Sequence, residues 1–311
     1  MGTTSIKSDF AAANSPVRSA IIPVGGMGTR MLPTTSALPK NMLTVGLKPL
    51  IQYAVEEALL AGCKHIHLVC SQADVETYRR HFFLRDEIAA NISAPGKEML
   101  KARVDEVAAY APFLNFIVED EPKGLGSAIA MAAEYVHGPF AVILPDDLIL
   151  KGTTPSVLKN MADHYTNGIS IAAMEVLPKD ASKYGIFNFD ENLPRSGTSM
   201  AATGIVEKPA RGTAPSTMAA LGRYILPRQM MDVLRKAQPS IGGEIQLTDA
   251  IDFSVRELHT PLNAVRFEGI RYDCGDPEGY LRAQNAVAQI MLEPENLAKL
   301  KAQSAPAHKL S

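Results

Sequence analysis

The run Gly25-Gly-Met-Gly-Thr-Arg-Met-Leu-Pro-Thr-Thr-Ser-Ala-Leu-Pro-Lys40 gathers the residue types that a polyphosphate requires. Glycine carries no Cβ, so Gly25, Gly26 and Gly28 let backbone N–H groups come close to a phosphate or a base. Arg30 offers a planar fork of donors matched to phosphate oxygens, and Lys40, held behind Pro39, adds a second, compact charge. A plain strand-to-loop turn would use the glycines but needs neither cation. Two familiar phosphate loops do not fit. A dinucleotide fingerprint wants a third glycine where Met31 stands, and no Gly-Lys-Ser/Thr closes the turn as in a Walker A loop.

Rigid elements must present such a loop. Residues 19–24, Ser-Ala-Ile-Ile-Pro-Val, are a short apolar run, which predicts a buried strand entering the turn. Pro49 has the fixed φ of a first helical turn; Leu50, Ile51, Ala54, Val55, Ala58 and Leu59 then recur at helical spacing until Gly62. Residues 65–70 read as a second strand. Further along, helices are expected over 73–83, 97–109, 125–136 and 157–165, with strands at 113–118, 140–144 and 169–176. This alternation predicts a three-layer α/β fold with a mostly parallel sheet covered on both faces, its ligands lying beyond the carboxyl ends of the strands. From 179 to 222, Gly- and Pro-punctuated pieces predict β-rich insertions over the sheet. Helical periodicity returns at 228–237, 244–258 and 277–291. The plan is a flexible tail over 1–18, one domain over 19–291 and a second tail over 292–311.

Composition narrows the function classes. The 311 residues include 31 Lys+Arg against 33 Asp+Glu, a net charge of -2, so no general basic field marks nucleic acid as a partner. With 46% hydrophobic and only 21% charged residues, the chain is globular rather than disordered. Cys63, Cys70 and Cys274 form no C-x-x-C pair, and the histidines show no H-E-x-x-H pattern, so neither a disulfide framework nor zinc is expected. Residues 1–18 lack the apolar core of a signal peptide, and Ile6 breaks a myristoylation pattern. No apolar run approaches the roughly 20 residues of a membrane span. A soluble, cytoplasmic protein is expected.

The blocks GGMGTRMLP, LPK, KPLIQYAVEEALLAG, KGLGSAI, LPDD, KYGI, VEKP, LGRYIL, GGEIQLTDAI and DCGDPEGY occupy the chain from about residue 20 to about residue 288. In type, order and separation they resemble the nucleotide-diphosphate-sugar pyrophosphorylases, also called sugar-phosphate nucleotidyltransferases, and among these the bacterial uridylyl-transferring branch. The resemblance implies a Rossmann-like nucleotide-diphospho-sugar transferase fold and a homo-oligomer, dimer or tetramer. It also implies a reaction: UTP and glucose-1-phosphate give UDP-glucose and pyrophosphate with Mg2+. A dianionic phosphate must then approach a nucleotide carrying about four negative charges, and each pair of unit charges about 4 Å apart repels by about 4 kcal/mol at an effective dielectric of about 20. Positioning and cationic screening therefore do most of the work.

By that resemblance Arg30 and Lys40 hold the triphosphate, and Arg30 assists the departing pyrophosphate. Asp146, in Leu144-Pro-Asp-Asp147, and Asp273, in Tyr272-Asp-Cys-Gly275, would bind Mg2+, which takes one or two carboxylates and fills its shell with phosphate and water. Glu207 would accept from sugar hydroxyls, Lys208 would hold the sugar phosphate, and Gly185 would admit the sugar to the backbone. Val24, Gly25, Gly26, Gly28 and Thr29 would surround the nucleotide, with Gly124 near base and ribose at a helix start.

Three departures stand out. The branch pattern T-K-A-x-P-K-E reads Thr35-Ser36-Ala37-Leu38-Pro39-Lys40-Asn41 here, so a lysine and a glutamate are replaced together. Glu119 occupies the place where a glutamine reads the pyrimidine edge; a glutamate accepts from uracil N3–H but donates to a carbonyl only when protonated. These leave open a transferase of the same fold with another base or sugar, and a catalytically weakened regulatory paralogue. A glycosyltransferase is disfavoured, because a donor already activated as a diphosphate needs no clamp from Arg30 and Lys40.

Overall fold

The computed structural model describes residues 15–83, 86–93, 96–150, 157–190, 199–267 and 269–296. Its strands, in chain order, are β1 (Ser19–Pro23), β2 (Thr44–Val45), β3 (Lys48–Pro49), β4 (His65–Cys70), β5 (Leu114–Val118), β6 (Phe140–Ile143) and β7 (Asp147–Leu150). There follow β8 (Ile169–Glu175), β9 (Gly185–Asn188), β10 (Ser199–Ala202), β11 (Gly204–Glu207), β12 (Met218–Leu226), β13 (Leu262–Arg266) and β14 (Ile270–Asp273). The helices are α1 (Leu50–Leu60), α2 (Gln72–Phe82), α3 (Asp86–Ile92), α4 (Glu98–Ala108), α5 (Leu125–Ala130), α6 (Val157–Asp163), α7 (Met230–Lys236), α8 (Leu247–Arg256) and α9 (Pro277–Leu292).

Side chains alternate faces along β1, and both faces are apolar. Ile21 enters one core, with α5, α7 and α8; Ala20 and Ile22 enter the other, with α1, α2 and α6. The central sheet runs β10-β13-β8-β12-β6-β1-β4-β5, with β9 and β11 branching from β12. Strands β4, β5 and β6 lie parallel to β1 or to its neighbours, and β13 lies parallel to β8. β12 runs antiparallel between β6 and β8, so those two point the same way. The order reverses at β1, which has β4 on one side and the later strand β6 on the other. Such a reversal opens a crevice at the carboxyl ends of the strands. The loops after β1 and β6 flank it.

Four expectations are corrected. The helix expected over 125–136 ends at Ala130; beyond it Ala132, Ala133 and Tyr135 bond three residues back, a tighter winding that keeps Ala132, Ala133 and Val136 in the core. The helix expected from 244 begins at Leu247, because the backbone of Ile245 is bonded elsewhere: its N–H donates to the Lys123 carbonyl and its carbonyl accepts from Gly126 N–H. The pieces expected over the sheet are largely within it, β12 centrally and β10 at its edge, since Met218–Leu226 is buried throughout and suits a covered strand. Packing also begins before Ser19, with Val17 fully buried. Most of the N-terminal stretch (1–14) and of the C-terminal one (297–311) lies outside the described residues.

Candidate active site

The loop after β1 carries the first group of expected site residues. Val24 is a support: its N–H donates to Val69 O at 2.8 Å, and its carbonyl accepts from the Tyr78 hydroxyl at 3.2 Å and Asn41 Nδ2 at 3.4 Å. Its backbone polar groups are thus occupied within the protein, which leaves Gly25 and Gly26 as the expected nucleotide contacts at this point of the loop. Gly28 has φ 58, a left-handed conformation suited to glycine, and a Cβ there would press to 3.1 Å on Lys40 Cβ and on Thr35 Cγ2. Glycine lets the Lys40 segment fold back onto the loop, where the Thr35 hydroxyl donates to Gly28 O at 2.9 Å. Thr29 then opens a short 3-10 turn that leaves Arg30 exposed and tucks Met31 into the protein.

Acidic groups face these cations. Asp146 and Asp147 follow β6, and Lys40 Nζ lies 2.6 Å from Asp146 Oδ2. Burial opposes ionisation of Asp146, yet the Lys40 ammonium, a backbone N–H and Arg30 hold its carboxyl below the usual carboxylate range. For Asp147 burial wins and pushes the carboxyl up, although Arg271 pulls the other way. Pairing of β7 with β14 sets Asp273 opposite Asp147, and Cys274 N–H donates to Asp146 O at 2.7 Å. Gly275 N–H donates to Asp273 Oδ1 at 3.0 Å. A Cβ on Gly275 would stand 2.9 Å from Asp146 Oδ2, 3.0 Å from Asp273 Oδ1 and 3.2 Å from Arg30 Nη2. Three expected site residues therefore converge on one bare α-carbon. Immediately beyond, Asp276 caps α9 by accepting from Gly279 N–H, with Pro277 at the first helical position.

A buried ion pair braces this loop from behind. Glu57 (0% exposed) and Arg223 (1%) meet at 2.7 Å; Glu57 Oε1 accepts from Leu158 N–H, and Arg223 Nη1 donates to the carbonyls of Leu144 and Gly222. Leu144 is the first residue of the Leu-Pro-Asp-Asp turn.

The residues expected to bind the sugar phosphate are brought together by β9 and β11, whose register sets Gly185 opposite Glu207. Glu207 Oε2 accepts from the Thr248 hydroxyl at 2.7 Å, and Lys208 Nζ lies 3.3 Å from Glu207 Oε1 while its side chain stays 55% exposed. Lys208 has φ 41, unusual for a side-chain-bearing residue, and its N–H donates to Tyr184 O. On the other flank Glu119 follows β5; it is 5% exposed, and its Oε2 would lie 3.3 Å from a Cβ on Gly25. Oε1 has no partner among the described residues. Burial pushes the Glu119 carboxyl up despite a backbone N–H from Lys123. Gly124 and Gly126 have a packing cause of their own: a Cβ on either would collide with Ile245, and the one on Gly124 with Glu244 as well.

Sequence reasoning missed Gly275, Arg271, Tyr184, Thr248 and the Glu57–Arg223 pair. Arg271 and Asp273 stand two apart on one strand, which alone places them on one face; nothing local marks Glu57 and Arg223. The replaced residues serve the loop itself, Ser36 donating to Pro33 O at 2.6 Å and Asn41 to Val24 O. All three cysteines are buried and free.

No group of three or more His, Cys, Asp or Glu side chains among the described residues is arranged to hold a metal. Two aspartate oxygens converging on the Gly275 cradle are instead a donor set for a hard cation that completes its shell with phosphate and water, as Mg2+ does.

Fold and site together define an α/β enzyme whose crevice is equipped to handle phosphates. A family model described as nucleotidyl transferase matches residues 19–290. The chain belongs to the nucleotidyl transferase family. A UTP–glucose-1-phosphate uridylyltransferase of Bacillus subtilis (strain 168) is 39% identical over 268 residues, 85% of this chain and 89% of the relative. A solved apo UDP-glucose pyrophosphorylase superposes with a TM-score of 0.80 at 35% identity, covering 89% of this chain and 100% of the other. A UTP-bound enzyme of the same kind from Acinetobacter baumannii gives 0.75 at 32% identity over 92% and 98%. No helix among the described residues is long and apolar enough to cross a membrane.

Proposed function

We propose that this nucleotidyltransferase forms UDP-glucose and pyrophosphate from UTP and glucose-1-phosphate. An oxygen of the sugar phosphate attacks the α-phosphorus, a new P–O bond forms, and the α–β bond breaks to release pyrophosphate. Arg30 and Lys40 hold and neutralise the triphosphate, and Lys208 fixes the sugar phosphate beside Gly185 while Glu207 accepts from sugar hydroxyls. Asp146 and Asp273 would hold Mg2+, which when bound would supply charge screening and orientation at the phosphates. Gly25 and Gly26 face the base with Glu119, whose raised carboxyl, when protonated, can donate to a pyrimidine carbonyl as well as accept.

The observation that carries this reading is the convergence of Asp146, Asp273 and Arg30 on Gly275, with Lys40 bonded to the same Asp146 oxygen. Pyrophosphate release measured across UTP, dTTP, CTP and ATP with several sugar-1-phosphates should be greatest for UTP with glucose-1-phosphate. Preference for dTTP or CTP would contradict the assigned base. UTP binding in calorimetry, with turnover at background, would make the chain a regulatory binder instead.

The same reading places one catalytic domain over 19–291, in the cytoplasm, as a homo-oligomer. The two cores on opposite faces of one sheet support a single domain. Exposed Leu281 and Leu292, separated by about three helical turns on α9, support a contact between copies.

A further inference from the structure

We propose that Arg271 is a positioning residue: it sets Asp273 for its cation and, through Tyr184, holds the sugar-phosphate loop in register with that carboxylate. The inference rests on the roles given above to Asp146, Asp273 and Lys208. Asp273 divides its oxygens. Oδ1 accepts from Gly275 N–H and faces the cradle, whereas Oδ2 accepts from Arg271 Nη2 at 3.2 Å. On its other side the guanidinium is fixed to Asp147, with Nε donating to Oδ1 at 2.6 Å and Nη2 closing on the same oxygen. Asp147 Oδ2 in turn accepts from Gly222 N–H at 2.8 Å, so the arginine is tied to the central sheet through β12. Its side chain is 10% exposed.

The remaining donor points away from the acids. Nη1 donates to the Tyr184 hydroxyl at 2.9 Å, and the guanidinium lies over the Tyr184 ring at 5.2 Å. Tyr184 O accepts from Lys208 N–H at 3.0 Å, and Gly185 follows directly. One rigid fork thus touches the acid pair and the loop that presents Lys208. Lysine cannot replace it, because a single ammonium does not present donors along three fixed directions. A side chain that orients a metal-binding carboxylate typically changes metal affinity by 10–100-fold.

The test uses the full chain with Arg271→Met, Arg271→Lys and Tyr184→Phe. Mn2+ affinity is read by electron paramagnetic resonance with UTP present and no sugar phosphate; KM, kcat and melting temperature are read separately. Both Arg271 variants should weaken Mn2+ binding about tenfold or more and lower kcat. Tyr184→Phe should leave Mn2+ affinity unchanged and raise KM for glucose-1-phosphate about three- to tenfold, the effect of one lost hydrogen bond. If Arg271→Met does not fold, Arg271→Lys and Tyr184→Phe carry the test. Wild-type Mn2+ affinity in Arg271→Lys, an unaltered KM in Tyr184→Phe, or a fall in melting temperature alone would overturn the proposal. Asp273→Asn separates the two levels: unchanged Mn2+ affinity there removes the metal assignment and this inference with it. Loss there with wild-type affinity in the Arg271 variants removes this inference alone.

Discussion

Lys40 and Asp146 meet at 2.6 Å between the loop after β1 and the turn after β6, and each is assigned to a different charge problem, the triphosphate and the metal. Removing either should therefore cost rate rather than fold. Lys40→Ala and Asp146→Asn should each lower kcat at least about tenfold, or ~1.4 kcal/mol; near-wild-type turnover in both would refute their roles. Gly275→Ala is the complementary change, since it deletes no charge but places a methyl within 3.2 Å of Arg30, Asp146 and Asp273. It should fold normally and lose activity and metal binding together; full activity would mean that the cradle is not used. Glu119 gives a pH signature. Its folded carboxyl is raised above 4.5 by burial, so the wild type loses stability as pH rises from that value through the raised one. Glu119→Gln removes that loss. The variant should melt above the wild type at pH 8, and the gap should shrink as pH falls toward 4.5; a gap constant with pH would contradict the assignment.

The elements explain why these residues meet, and most of those elements could be read locally. β1, β4 and α1 follow from residues 19–24 and 65–70, two largely apolar strand runs, and from the helical spacing of 50–59 between Pro49 and Gly62. The cationic loop was legible for the same reason. β7 and β14 were not, because four residues after a turn carry little pattern and their partner lies far along the chain, as the separation of 124 between Asp147 and Arg271 shows. Helix 244–258 was over-extended because periodicity cannot see Ile245 bonding to Lys123 and Gly126. The buried Glu57–Arg223 pair is the extreme case, 166 residues apart. Breaking it should be costly: Arg223→Met alone is expected to lose about 3–5 kcal/mol in urea unfolding, by leaving Glu57 charged and unpaired. Adding Glu57→Gln should restore part of this, since the amide oxygen still accepts from Leu158 N–H while the stranded charge is gone. A double variant no more stable than Arg223→Met would contradict the brace.

At the scale of the molecule, the reversal of strand order at β1 sets the cationic loop beside the acidic turn after β6, and β9 with β11, branching from β12, brings Gly185 opposite Glu207. The net charge of -2 provides no general attraction for a nucleotide, so neutralisation has to be local and paired. A crystal structure of the protein with UTP and Mg2+ bound puts that arrangement to proof. Arg30 and Lys40 should donate to triphosphate oxygens, and density for the ion should lie between Asp146 and Asp273 over Gly275. Nucleotide bound with both cations turned away, and no ion at the two aspartates, would contradict it.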